Sequence, residues 1–319
     1  MIKILLSKLY NLGLNLWYLY DEVLRTKDVL PAHVISVGNL TTGGTGKTPL
    51  TIFIAQKLSI ERKVAILTRG YKRKGKGIYI LKEDTPLMKW EEVGDEPYLM
   101  WKKLRGNVPI LVGKNRYETG QIAIRQLNSE VLILDDGFQY FPLKRDIDIV
   151  CINQNTLIHG DYLLPRGNLR ENFSALKRAH ILVLNIKGDT LEHHALELLE
   201  PYKKPIFVMK YEPVKFYNFE GQQMSLNSLK GFDVAALSGI ADPKSFIDLL
   251  TKLGITPKEI ITIRDHNIYP LPKLRALLKK FDYVVTTEKD LIKYPPFKNL
   301  LALEIQVKIE NEDKFLKLL

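Results

Sequence analysis

The chain is poor in several things that would have assigned it quickly. It has one cysteine, Cys151, in 319 residues. No internal disulfide can form, and a small core thiol in a reducing compartment is expected. Of the six histidines, the five other than His266 (His33, His159, His180, His193 and His194) show no metal-ligand spacing and are given no role, and paired-cysteine zinc patterns are absent. The aromatic and glycine signatures of an RNA-recognition sheet are missing, so no nucleic-acid partner is expected. Lys3, Lys8, Asn11 and Asn15 interrupt the first apolar stretch too early for a spanning helix, and no small-residue cleavage site follows it. There is no internal repeat and no low-complexity tract. Acids are outnumbered by bases, 36 to 47, giving a formal charge of +11. That surplus by itself points to anionic partners: a nucleotide, a phosphorylated substrate, nucleic acid or an acidic membrane surface.

What is present is concentrated in Gly43-Gly44-Thr45-Gly46-Lys47-Thr48-Pro49. An apolar, β-branched run at 34–37 precedes this stretch, and a helical apolar pattern (Leu50, Ile52, Phe53, Ile54, Leu58) follows it. Strand, glycine loop, Lys-Thr, helix is the arrangement that cradles a nucleoside triphosphate. Backbone N–H groups curl around phosphate oxygens, and the helix start adds its positive end. Residues Thr41, Thr42, Gly43, Gly44, Thr45, Gly46, Lys47 and Thr48 are therefore the candidate nucleotide cradle. Lys47 is placed to reach the β- and γ-phosphates, and the Thr48 hydroxyl to sit on Mg²⁺. Thr41 stands where the usual pattern has its first glycine, which brings the loop closer to the deviant P-loop class. Pro49 suits the first turn of a helix, where its missing N–H costs nothing.

Short apolar runs at 34–37, 64–67, 109–112, 131–134, 147–152 and 181–184 alternate with helix-like segments. The alternation predicts an α/β fold with a P-loop-type parallel sheet flanked by helices. Composition changes near Glu200-Pro201, and a smaller α/β pattern restarts beyond it. There, strands are predicted at 234–237, 259–263 and 283–286, and helices at 243–253 and 272–281. A last strand at 301–309 precedes a short helix. The expected division is a helix over 1–30, a nucleotide-binding domain over 31–200, a smaller α/β domain over 201–300, and a C-terminal strand and helix over 301–319.

Other residues have chemistry in reach. Val131-Leu132-Ile133-Leu134-Asp135-Asp136-Gly137 is a strand ending in two acids. A P-loop enzyme needs an acid there for Mg²⁺, although an isolated Asp-Gly would read as a turn. Gly94-Asp95-Glu96-Pro97 reads as a helix start, with Asp95 as N-cap and Pro97 in the first turn, and Asp95 is also able to accept a proton from an attacking hydroxyl. His266, in Asp265-His266-Asn267, can assist an acid–base step or be merely structural. Arg69, Lys72, Arg73, Lys74 and Lys76 form a basic loop that suits phosphate or lipid headgroups, or solvent alone. Arg166 and Arg170 can clamp phosphate oxygens. At the start of the chain, Leu5, Leu9, Leu12, Leu16, Leu19 and Val23 share one helical face, and Trp17, Tyr18 and Tyr20 favour a membrane–water boundary. Residues 2–25 read as an amphipathic helix lying in an interface, against the alternative of a helix packed on the core.

Taken together, the motifs resemble the tetraacyldisaccharide 4'-kinase family of lipid A biosynthesis. The resemblance runs from Val34 to Asp290. It includes Thr68-Arg69-Gly70-Tyr71, Gly94-Asp95-Glu96-Pro97, Asp135-Asp136-Gly137-Phe138-Gln139, Leu163-Leu164-Pro165, Leu169-Arg170-Glu171, Ser238-Gly239-Ile240, Asp265-His266 and Thr287-Glu288-Lys289-Asp290. Arg166-Gly167-Asn168 departs from the family's usual small residue, Gly and Pro. The resemblance implies transfer of the γ-phosphoryl of ATP to the 4'-hydroxyl of an acylated glucosamine disaccharide 1-phosphate. It implies Asp95 and His266 as a catalytic pair, one from each domain, with Asp95 taking or orienting the hydroxyl proton and His266 tuning it. It further implies Lys47 and Arg170 on the phosphates, and Asp135 and Asp136 with Mg²⁺. A monomer on the cytoplasmic face of the inner membrane, peripheral and held through residues 2–25, is the matching expectation. The competing classes are a membrane-associated P-loop ATPase switch and an ATP-dependent synthetase of a small carboxylate.

Overall fold

The computed structural model describes residues 2–23, 25–186 and 190–319. Met1 and Leu24, which belong to the expected N-terminal unit, lie outside the described residues, as does the side chain of Val23. In chain order the first part contains α1 (Ile2–Val23), β1 (His33–Asn39), α2 (Lys47–Leu58), β2 (Val64–Thr68) and β3 (Tyr79–Leu81). Then come α3 (Trp90–Val93), α4 (Asp95–Lys103), β4 (Ile110–Val112), α5 (Arg116–Leu127), β5 (Val131–Asp135), β6 (Ile147–Asn153) and α6 (Gln154–His159). A 3₁₀ turn, Phe173–Arg178, leads to β7 (Ile181–Asn185) and α7 (His193–Glu197). The remainder holds β8 (Ile206–Tyr217), β9 (Gln223–Met224), β10 (Val234–Ser238), α8 (Pro243–Lys252), β11 (Glu259–Thr262) and α9 (Leu271–Lys280). It closes with β12 (Tyr283–Thr287), α10 (Glu288–Leu291), β13 (Leu300–Ile309) and α11 (Glu312–Leu316).

The fold is the expected α/β class, with a mostly parallel sheet between helices. Its strands run in the order β11-β10-β12-β13-β8-β7-β6-β1-β5-β2-β4-β3, with β9 added on β8. Strand β1 lies between β5 and β6, both parallel to it, and Val37 pairs with Asp135. The central strands are apolar on both faces because helices cover both sides: β2, β5 and β7 are buried along their whole length. The loop after β1 and the acids at the end of β5 therefore emerge side by side at the carboxyl edge, where ligands of such sheets bind.

Strands from both sides of residue 200 belong to this one sheet. The join is antiparallel: β13 pairs with β8 from Ala302↔Tyr217 to Ile309↔Met209. The register shifts between Glu304 and Ile305, opposite Pro213. A proline cannot donate to a ladder, and a bulge is one place a sheet tolerates it. Beyond the join, Phe315 of α11 is buried with Ile35, Val37 and Ile54 in the core beneath the first half.

Helix α1 turns most of its leucines outward, while Leu14 packs on the core. Leu5, Leu9, Leu12, Leu16 and Leu19 are each more than half exposed. Its other side meets the segment before β7. Ser7 Oγ donates to the Leu163 carbonyl (2.9 Å), the Tyr10 hydroxyl to the Arg170 carbonyl (2.9 Å), and Tyr18 to Glu171. No helix among the described residues is long and apolar enough to cross a membrane.

Candidate active site

A cleft of ≈ 1830 Å³ opens above the carboxyl edge, and the glycine loop forms one wall of it. The loop turns into α2 through Gly46, whose φ of 96° is in the left-handed region that favours glycine. A Cβ there would also stand 2.3 Å from the Tyr211 hydroxyl and 2.5 Å from the Met209 methyl. The loop is braced from behind. Asn39 Nδ2 donates to Thr45 Oγ1 (2.7 Å), and Asn185 Nδ2 donates to the Thr45 carbonyl (2.9 Å) and the Tyr211 hydroxyl (3.1 Å). Thr42, Gly43, Gly44, Thr45, Gly46, Lys47 and Thr48 line the cleft. Thr41 is not among the lining residues; it is buried and forms a bridge to Leu169.

The two acids at the end of β5, Asp135 as its last residue and Asp136 just after it, sit in different surroundings. Asp135 is buried and accepts from Thr68 Oγ1 (3.2 Å) and Thr51 Oγ1 (3.4 Å). Burial, with Glu96 and Asp136 adding negative charge, pushes its carboxyl up to about 7. Asp136 has a φ of 54° and is 39% exposed at its side chain, so it faces the cleft. Burial would raise it, but Lys47 at 3.4 Å and Arg170, whose Nη1 donates to both oxygens at 2.9 Å, hold it below the usual range. Lys47 and Arg170 thus converge on one carboxylate at the end of the glycine loop. Arg170 is fixed by its own backbone, which donates to the Leu40 carbonyl at 2.7 Å.

Asp95 and His266 come together across the cleft from 171 residues apart in the chain. His266 Nδ1 lies 2.8 Å from Asp95 Oδ2 and 3.1 Å from Oδ1. Burial would raise Asp95, but the His266 hydrogen bond with Lys289 and Lys293 takes it down to about 2. An ionised Asp95 makes Nδ1 the donor, which leaves the Nε2 lone pair of a neutral ring available. His266 lines the cleft, whereas Asp95, only 3% exposed, lies behind it. The resemblance placed Asp95 foremost; here His266 lines the cleft and Asp95 does not. A helix does start here, but its N-cap is Gly94 and Asp95 is the first helical residue, with no side-chain cap hydrogen bond, so Asp95 is not the cap that the sequence suggests.

Among the remaining candidates, Arg69 and Lys72 line the cleft. Arg73 instead ties its own loop, donating to the Val112 and Gly77 carbonyls at 3.1 and 2.6 Å. Lys74 and Lys76 are exposed outside the lining. Arg166 stacks 3.4 Å over the Tyr162 ring, away from the lining. Sequence reasoning gave no role to Lys289, Asn185, Tyr211 or Gln139. Lys289 carried a signal, being inside the Thr287-Glu288-Lys289-Asp290 motif. Asn185 and Tyr211 carried none, because their partner, the loop at 45–46, is distant in the chain.

One wall of the cleft can hold a polyphosphate, and the other offers a histidine oriented by a carboxylate. That pairing suits transfer of a phosphoryl group to a hydroxyl. The pattern of the family described as "Tetraacyldisaccharide-1-P 4'-kinase" matches residues 2–319. A tetraacyldisaccharide 4'-kinase of Aquifex aeolicus is 40% identical over 306 residues, covering 94% of this chain and 91% of the relative. One from Halothermothrix orenii is 36% identical over 317 residues, covering 91% and 82%. The crystal structure titled as the "apo" form of LpxK from Aquifex aeolicus in complex with ATP superimposes with a TM-score of 0.80 at 37% identity, over 99% of this chain and 96% of that one. A match of that extent, on a fold and cleft of this kind, places the chain in the tetraacyldisaccharide-1-P 4'-kinase family.

Proposed function

We propose that the chain transfers the γ-phosphoryl group of ATP to the 4'-hydroxyl of a tetraacylated glucosamine disaccharide 1-phosphate. The observation that carries this reading is that one cleft is lined by both the P-loop and His266, whose ring is held by Asp95. In the reaction the bond between the γ-phosphorus and the β,γ-bridging oxygen breaks, and a bond to the sugar oxygen forms. The hydroxyl proton passes to His266 Nε2, while Asp95 holds Nδ1–H and stabilises the imidazolium. The loop from Thr42 to Thr48 binds the polyphosphate through backbone N–H groups. Lys47 and Arg170, drawn together by Asp136, meet the charge that spreads over the phosphoryl oxygens.

The oxygen donors at this wall suit magnesium. Thr48, Asp136 and Asp135 supply a hydroxyl and carboxylates, and among the described residues no group of three or more His, Cys, Asp or Glu forms a cage. Magnesium is usually held by one or two carboxylates plus phosphates and water. When bound, it neutralises charge on the phosphates. Asp136 is the more open of the two acids, and Asp135 stands behind it on Thr51 and Thr68.

The outward leucines of α1 support a peripheral position on the cytoplasmic face of the inner membrane, with the acyl chains of the substrate staying in the bilayer. The test is transfer of ³²P from labelled ATP to an acylated disaccharide 1-phosphate. Labelled lipid is the expected product. ATP consumption that never labels the sugar would establish an ATPase and overturn the proposal.

A further inference from the structure

The one-turn helix α10 holds a row of charges that phosphoryl transfer, as described, leaves unused. Each grips a different part of the molecule. Glu288, 7% exposed, receives Lys103 Nζ on both oxygens (2.8 and 2.9 Å) and the Tyr217 hydroxyl at 3.1 Å. Lys103 is the last residue of α4, the helix that Asp95 begins. Lys289 reaches the other end of α4. Its Nζ lies 3.2 Å from Glu96 Oε1, 3.7 Å from Asp95 Oδ2 and 3.0 Å from Asp265 Oδ1. Asp290 accepts from the Gly239 N–H at 2.8 Å and binds Lys293 at 2.9 Å.

The surroundings of His266 make Lys289 decisive. Facing the ring or its partner are Asp95 and Glu96 from α4, Asp265 beside it in the chain, Lys289 from α10, Lys293 just after α10, and the Tyr71 ring at 5.4 Å. Lys293 is already paired with Asp290 and fully buried. Asp265 Oδ2 stands 3.6 Å from His266 Nε2, the nitrogen turned away from Asp95. Without Lys289 between them, Asp265, Glu96 and Asp95 would crowd the ring as three carboxylates with that cation gone. Burial opposes the charge on Lys289, yet these three carboxylates raise it well above its ordinary value.

We propose that Lys289 is a positioning residue for the Asp95–His266 pair. By binding Asp265, Glu96 and Asp95 at once, it fixes the start of α4 against the 265–266 turn and balances the carboxylates gathered around the His266 ring. The role rests on the phosphoryl-transfer reading, but part of its test does not.

The experiment compares wild type with Lys289→Met and Lys289→Arg in the full-length protein. Lys289→Gln, which keeps a donor in the same place, replaces methionine if that variant does not fold. The first readout is the pH midpoint of the His266 ring signals by NMR. It moves up by about one pH unit in the neutral variants, and arginine returns it. The second readout is kcat for transfer to the disaccharide against pH. Its acidic limb moves up with the ring, so kcat at pH 7 falls by up to about tenfold, the loss that a one-unit shift in a required base produces. KM for ATP stays within about twofold, because the P-loop wall is untouched. An unchanged ring midpoint, or a loss of equal size at every pH, would overturn the proposal. Wild-type protein that transfers no phosphate would overturn the functional reading instead, while the ring midpoint would still decide the role of Lys289.

Discussion

Replacing Asp95 by asparagine tests the electrostatics of the pair through stability alone. Asp95 is almost completely buried, yet its hydrogen bond from His266 and the nearby Lys289 and Lys293 depress its carboxyl from 3.8 to about 2. At about 1.4 kcal/mol per unit, that depression is worth about 2 kcal/mol of folding stability at neutral pH. Because the folded value lies below the unfolded one, the contribution is complete above the unfolded value and is lost as pH falls through the folded one. Roughly half of it is gone by pH 3. The asparagine side chain keeps the shape and an acceptor oxygen but cannot ionise, so Asp95→Asn has no such dependence. Urea unfolding at pH 7 and pH 3 measures both proteins. The stability gap between them should narrow by about 1 kcal/mol on going to the lower pH. A gap that does not change with pH would show that Asp95 gains nothing from its cationic neighbours, and the description of the pair would fail.

Three further outcomes are expected. Lys47→Ala should lower kcat by about 10³-fold or more and His266→Ala by about 10²-fold, since charge neutralisation dominates phosphoryl transfer and a general base adds less. Comparable losses, from steady-state kinetics, would reverse that weighting. Gly46→Ala should abolish ATP binding in calorimetry, because its Cβ would strike the Tyr211 hydroxyl and Met209 in a left-handed backbone; binding within about twofold of wild type would refute the bracing of the loop. Deleting residues 2–25 should release the protein from sedimenting anionic phospholipid vesicles, and undiminished binding would remove α1 from the membrane role.

The parts legible in the sequence are those whose residue types the backbone demands locally. Gly46 announces its turn because its φ of 96° favours glycine, and Pro49 marks the helix that follows. The run from Val131 to Asp135 announces a buried strand because both of its faces are covered. Other features depend on contacts between distant segments. Strand β8 went unpredicted because Pro213 interrupts its pattern, and a register shift against β13, with Val214 of β8 as the extra residue, accommodates it. Asn185 and Tyr211 resemble ordinary strand residues until they meet the glycine loop. Asp95 alone reads as a helix start, and His266 alone as merely structural; their partnership appears only when segments 171 positions apart have folded together. Arg166 and Arg170 share one arginine-rich stretch, yet only Arg170 enters the cleft, because local spacing does not fix which way a loop side chain turns.

The placement of β13 has a consequence for synthesis. This strand follows every other strand in chain order, yet it lies between β12 and β8, near the middle of the sheet. Phe315, still later in the chain, fills the core under the nucleotide wall. During translation the segments bearing Lys47 and His266 therefore leave the ribosome before the piece that seals them to each other. A premature stop just before residue 300 would leave two exposed strand edges and an unfilled core, rather than a working enzyme with a trimmed tail.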